Sequence, residues 1–185
     1  MIYSGTINNS MLNGAIEMMR AEPTEKNHSL VLEEVLKARF LCPVVLSKAP
    51  LINEKGDPYF APDCDVQYQM LQNAKGEPWL IAFTNQMQYE KWMSKRTSVA
   101  QIYELVMEFT DYMNLVIRTL PDGTHGPAVG VVIDPYGCNL KIDRDMIANL
   151  VIRRMQMDDY QESLRTMNSE MEVNAARAKE EKPET

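Results

Sequence analysis

Apolar residues recur at helical spacing twice near the start of the chain. Met11, Leu12, Ala15, Ile16 and Met19 form one stripe, with Asn8, Asn9 or Ser10 available as its cap. Beyond the break at Pro23, Val31, Leu32, Val35 and Leu36 form a second, which predicts a helix ending near Arg39. "FLCPVVL" then reads as a strand, and Pro43, which has no N–H to give a ladder, points to an edge position or a bulge. Residues 47–65 are dense in Pro, Gly, Asp and Asn and predict a loop around a small hairpin.

From Val66 the period shortens to two. "VQYQMLQ" alternates Val66, Tyr68 and Met70 against Gln67 and Gln69, and "PWLIAFT" answers it across the turn "NAKGE". The unbroken apolar run of the second strand predicts a central position, covered on both faces. Thr84 is placed to cap a short helix reaching Trp92, and "SVAQ" at residues 98–101 reads as a capping box. The long helix this box opens has Val99, Ile102, Tyr103, Val106 and Phe109 inward. Residues 115–120, "LVIRTL", fit a helix end or a strand, with helix preferred. "AVGVVID" and "LKI" are strands separated by the turn "PYGCN", and Asp143 caps a helix whose inward side carries Met146, Ile147 and Leu150. From Leu140 to Lys182 there is neither Gly nor Pro, so helix can extend into the tail.

These elements predict an α+β domain over residues 1–155, a mixed sheet of about four to five strands flanked by helices, followed by an acidic helical or partly disordered tail over 156–185. In that tail Met157, Tyr160, Leu164, Met167 and Met171 are spaced 3, 4, 3 and 4 apart, a heptad-like seam through which two copies of the chain would associate.

Charge narrows the classes of partner. The net charge is -7, and residues 156–185 hold eight acidic against four basic residues. Such a chain repels phosphate backbones and anionic headgroups, so neither nucleic acid nor membrane is expected as a partner. No apolar run is long enough to span a bilayer, and the N-terminus lacks the marks of a signal peptide, which points to the cytoplasm. Cys42, Cys64 and Cys138 are odd in number and widely spaced, as reduced thiols are. No His or Cys pair has metal-ligand spacing, and any Ser-His-Asp or Cys-His arrangement would have to use His28 or His125. No metal, cofactor or catalytic residue is assigned.

"GEPWLIAFTNQMQYEKW", followed by "VGVVIDPYGCNLKIDRDMIANL", resembles the N-terminal domain of the SseB family, named for enhanced serine sensitivity. Phe83, Thr84 and Trp92 match a strand that ends in Phe-Thr and feeds a short helix closing on Trp. Pro135, Gly137, Asn139, Leu140 and Ile142 match a later Asn-Pro-x-Gly turn, with Asp134 in place of the usual Asn. The resemblance spans roughly Leu30 to Arg153 and departs in lacking the second domain of longer members. It implies one mixed α/β domain and no agreed biochemical activity.

Two segments stand out as candidate sites for a ligand or protein partner. In the first, Trp79, Phe83, Thr84 and Trp92 either fill the core or leave Trp92 exposed to anchor a partner; the pattern expects Trp79 buried and Trp92 accessible. In the second, Asp134, Tyr136, Gly137, Cys138 and Asn139 follow a strand end, where α/β sheets host ligands. The plainer reading is a tight turn held by Asp134 or Asn139. Cys138 would be reactive only if a base such as Lys141 lowered its pKa. A non-catalytic interaction or regulatory module is therefore expected, with a small-ligand domain or weak enzyme at this turn as the alternative.

Overall fold

The computed structural model describes residues 7–56, 58–97, 100–120 and 125–154. Two helices open it, α1 (Ser10–Ala21) and α2 (Glu25–Lys37), the latter capped by the Thr24 hydroxyl, which accepts from the Asn27 N–H at 3.2 Å. Strand β1 (Arg39–Leu46) follows at once, then the short exposed hairpin β2 (Leu51–Ile52) and β3 (Pro58–Tyr59). Next come β4 (Val66–Tyr68), β5 (Met70–Gln72), β6 (Pro78–Ala82) and α3 (Gln86–Met93). Strand β7 (Tyr103–Glu108), α4 (Phe109–Ile117), β8 (Gly130–Ile133), β9 (Leu140–Asp143) and helix α5 over residues 144–154 complete the order.

The α+β class holds, but the single sheet resolves into two. One is antiparallel, in the order β4-β1-β7; the other is mixed, β5-β6-β8-β9, with β6 and β8 parallel. A bridge between Leu41 and Phe83 links them, each N–H bonding the other's carbonyl at 2.9 and 3.0 Å. The "VQYQMLQ" run is what divides. Its period of two persists, but at Gln69 the chain leaves β1 and goes on to pair with β6. Pro43 sits opposite that break, so it occupies the central strand rather than an edge. Its carbonyl accepts from the Gln69 N–H at 3.0 Å, and the β1–β4 ladder stops at Val44 and Tyr68, so the side of β1 where proline lacks a donor needs none.

The long helix expected after "SVAQ" is a strand and a shorter helix. Ile102, Tyr103, Val106 and Phe109 fall at helical spacing, but Leu105 and Met107 are the buried members of 103–108, and six registered pairs with β1 hold that segment extended. The helix starts at Phe109, where the Asp111 carboxylate accepts the Glu108 N–H at 3.0 Å. Ser98 and Val99 lie outside the described residues. "LVIRTL" divides: α4 ends at Ile117, and Thr119 bridges to His125. Asp143 caps α5 as expected, accepting from the Met146 N–H at 2.8 Å.

Helix α4 packs on one face of the mixed sheet. Leu80, Val131, Ile133 and Ile142 point to that face with Phe40 of β1, whose ring meets Phe109 and Tyr112 of α4 edge-on at 6.1 Å each. The Tyr112 hydroxyl donates to the Ile81 carbonyl at 3.2 Å, which satisfies a phenol buried in the core. The chain divides after Ile147; of the second unit residues 148–154 are described, and they are helical. The tail seam from Met157 to Met171 lies outside the described residues. Among the described residues no helix is long and apolar enough to cross a membrane.

Candidate functional site

Parallel pairing of β6 with β8 brings the ends of two strands side by side, at Ala82 and Ile133. The next residues lock together. Asp134 accepts the Thr84 N–H on Oδ1 at 2.9 Å and the Thr84 hydroxyl on Oδ2 at 2.6 Å, with both side chains buried. The Asp134 carbonyl accepts the N–H groups of Gly137 and Asn139 at 2.8 and 2.9 Å, closing the turn. Asp134 and Asn139 take the left-handed conformation, φ 47° and 50°, which short polar side chains tolerate better than others. Asn9 fastens the other side, its Nδ2 donating to the carbonyls of Arg39 at 2.7 Å and Thr84 at 2.9 Å. Asn85, not Thr84, caps α3, accepting the Gln88 N–H at 3.1 Å; Thr84 is engaged with Asp134 instead.

Burial sets the electrostatics of this turn. Desolvation raises the Asp134 pKa above the usual carboxylate value, while the Thr84 bonds, Cys138 and the Lys91 charge pull it back. The Cys138 thiol is pushed up to about 11, chiefly by burial, and donates to the Ile133 carbonyl at 3.3 Å. Arg20 pulls the other way, and the effect is too small to make the thiol reactive at neutral pH. Among the described residues no cluster of His, Cys, Asp and Glu could hold a metal ion.

On the sheet face away from α4, the chain alternates Leu71, Trp79, Ile81, Val132 and Lys141 across its four strands. Helix α3 covers only part of this face, packing Tyr89 and Trp92 on Ile81, Phe83 and Leu41. Beyond the helix lies an open groove of about 250 Å³, lined by Leu71, Trp79, Val132, Tyr136, Asn139 and Lys141 together with neighbouring turn residues. Gly130 makes room for its floor: a Cβ there would lie 2.7 Å from Cζ3 of Trp79 and 2.5 Å from the Ile142 carbonyl oxygen. At the other end of the turn, Gly137 lets Gln88 of α3 approach, since a Cβ would meet its amide at 2.6 Å. Lys141 Nζ stands 5.8 Å from the Trp79 ring centre, and Lys95 Nζ 5.1 Å from that of Tyr136. Trp79 Nε1 and Gln88 Oε1 are buried without a hydrogen-bond partner among the described residues.

The model of the SseB protein N-terminal domain matches residues 12–149. The chain belongs to the SseB family. No curated protein and no solved structure gives a significant match. The matched span reaches back into α1 and ends within α5, so both candidate segments lie inside the SseB domain.

Within this SseB domain the two segments are one assembly, joined by Thr84 and Asp134. The tryptophans exchange the roles expected of them. Trp92 is 5% exposed, its ring 5.6 Å from Phe83 and 5.9 Å from Tyr89, whereas Trp79 keeps partial exposure in the groove. Coverage explains it: α3 lies over Ile81 and Phe83 but not over Trp79, and the helix turns Tyr89 and Trp92, three residues apart, toward the sheet. Tyr136 and Asn139 line the groove, Gly137 is its contact with α3, and Cys138 is turned into the fold. The sequence marks Asn9 only as a candidate cap of the first helix, where its side chain makes no cap bond, and singles out none of Gln88, Leu71 and Val132. Only the alternation of β5, β6 and β8, once registered, could have placed Leu71 and Val132 beside Trp79.

Proposed function

We propose that this SseB domain is a non-catalytic protein-interaction module, and that the groove beside the Asp134–Asn139 turn is its binding surface. The observation that carries this reading is the floor of the groove, where the Trp79 ring is partly exposed while its indole N–H has no acceptor among the described residues. A buried donor without a partner costs roughly 1–3 kcal/mol, a penalty that a bound acceptor removes. Tyr and Trp beside a charged rim is also the composition of interface hot spots. The small-ligand or weak-enzyme alternative is less well supported. The groove is below the roughly 300–1,000 Å³ of ordinary ligand pockets, and Asp134 and Cys138 spend their polar atoms holding the turn.

The test is photocrosslinking in the source cell with a benzophenone amino acid at Tyr136, and at Ile52 of the exposed hairpin for comparison. Discrete protein adducts are expected at position 136, and Lys141→Glu should diminish them. Adducts of equal yield and identity at both positions would sink the proposal.

A further inference from the structure

The protein is acidic as a whole, yet the turn between β8 and β9 is ringed by cations. Arg20 donates to the Cys138 carbonyl at 3.1 Å, Lys91 acts on Asp134, Lys95 stands over Tyr136 and Lys141 over Trp79. All four side chains are exposed, and none forms a salt bridge among the described residues. Three carboxylates of this sheet are held by internal hydrogen bonds: Asp134 by Thr84, Glu77 by the Asn73 amide at 2.6 Å and Asp143 by the Met146 N–H. Lysines parked on aromatic rings keep their charge and give up little to meet an anion, since an exposed cation–π contact contributes only about 0.5–1 kcal/mol.

We infer that the groove takes an acidic peptide segment of a partner protein, its carboxylates on Lys141 and Lys95 and an apolar side chain over Trp79 and Leu71. The inference rests on the binding function proposed above and adds the chemistry of the occupant. Charge complementarity carries it: a chain of net charge -7 would repel an acidic partner over most of its surface and admit it at this collar. The apolar floor separates this partner from a free anion, because the half-buried Leu71 and Trp79 offer burial that a small carboxylate cannot use.

The experiment is a titration of the full chain with a capped peptide in which glutamates flank Leu-Phe, followed through the two indole N–H resonances. Trp79→Phe assigns them. The Trp79 signal should move and the Trp92 signal stay. The glutamine counterpart should bind at least about tenfold more weakly, as should the glutamate peptide to Lys95→Gln/Lys141→Gln. Both substitutions are at exposed positions and should lower the melting temperature by no more than a few degrees, so the chain stays folded in the assay. Raising ionic strength from about 0.05 M to about 0.5 M should erase most of the preference. Equal binding of the glutamine peptide would overturn the acidic occupant and leave the binding groove standing. An equal shift with free glutamate or inorganic phosphate would replace the peptide by a small anion. No shift at Trp79, with crosslinks at position 136 intact, would also reject the acidic peptide while keeping the interaction function.

Discussion

The two ends of one sheet face were built from the same kind of residue and came out differently. At the α3 end, Ile81, Phe83, Tyr89 and Trp92 close over one another, and Arg96 stands 5.1 Å from the Trp92 ring on the outside. At the groove end, Trp79 has no helix above it among the described residues, Leu71 packs against the edge of the aromatic cluster, and lysines stand at the rim. Composition does not separate the ends, since each holds a tryptophan, a tyrosine and aliphatic neighbours. Coverage does: an eight-residue helix spans one part of the face and leaves the rest to solvent or to a partner. Aromatic residues therefore serve stability at one end and recognition at the other.

The largest effect that could break this comparison is on stability. Trp92→Ala should cost about 3–5 kcal/mol, the usual penalty for truncating a buried large aromatic, whereas Trp79→Ala should cost less than about half as much. Urea unfolding of both variants measures the difference. Equal losses would mean that the groove floor is core as well.

Next comes the lock that joins the two ends. Asp134→Ala leaves the Thr84 N–H and hydroxyl without their acceptor and places alanine at φ 47°, so a loss of about 2–4 kcal/mol is expected. Asp134→Asn keeps an acceptor for the Thr84 N–H and tolerates the left-handed backbone, so it should behave quite differently. Because burial raises the Asp134 pKa, the folded chain holds that proton more tightly than the unfolded one. The carboxyl's contribution is therefore full below its ordinary value of 3.8 and falls as pH rises to the folded value. Asparagine does not titrate, so the variant should gain on the native protein across that window and hold its gain above it. Thermal melts from about pH 3 to pH 7 read the trend, the other carboxylates cancelling in the difference. A gain that instead grew toward acid would show that Asp134 is stabilised as an anion.

Much of the fold was legible because local pattern and tertiary contact agreed. The spacing of Leu12, Ala15 and Ile16, the apolar run of β6, and Asp143 ahead of α5 each predicted what formed. The failures share one cause, pairing between distant residues. Tyr103 to Glu108 carries a helical stripe and is nevertheless a strand, because β1 offers six pairing positions. Gln69 reads as the middle of a strand and is the step between two sheets. The site was half legible in the same way. Trp79 and the Asp134–Asn139 turn were marked as separate features, whereas their meeting depends on the parallel register of β6 with β8. Which tryptophan would be covered depends on where α3 lies, and no local signal encodes that.

The smallest effect gives the sharpest view of the difference between the ends. In Trp92→Phe the remaining Trp79 should be quenched by acrylamide, and in Trp79→Phe the remaining Trp92 should be largely protected, as its burial demands. Charge adds a second axis. Lys141 over the Trp79 ring and Lys95 over Tyr136 should draw iodide toward Trp79 and repel caesium, so the anionic quencher should win by about twofold at low salt. Lys141→Gln should reduce that advantage without altering acrylamide quenching, because it removes charge and leaves the groove open. If iodide and caesium quench Trp79 equally in the native background, the lysines set no local field at the groove. The two ends would then differ in coverage alone, and the cation collar would lose its part in choosing the partner.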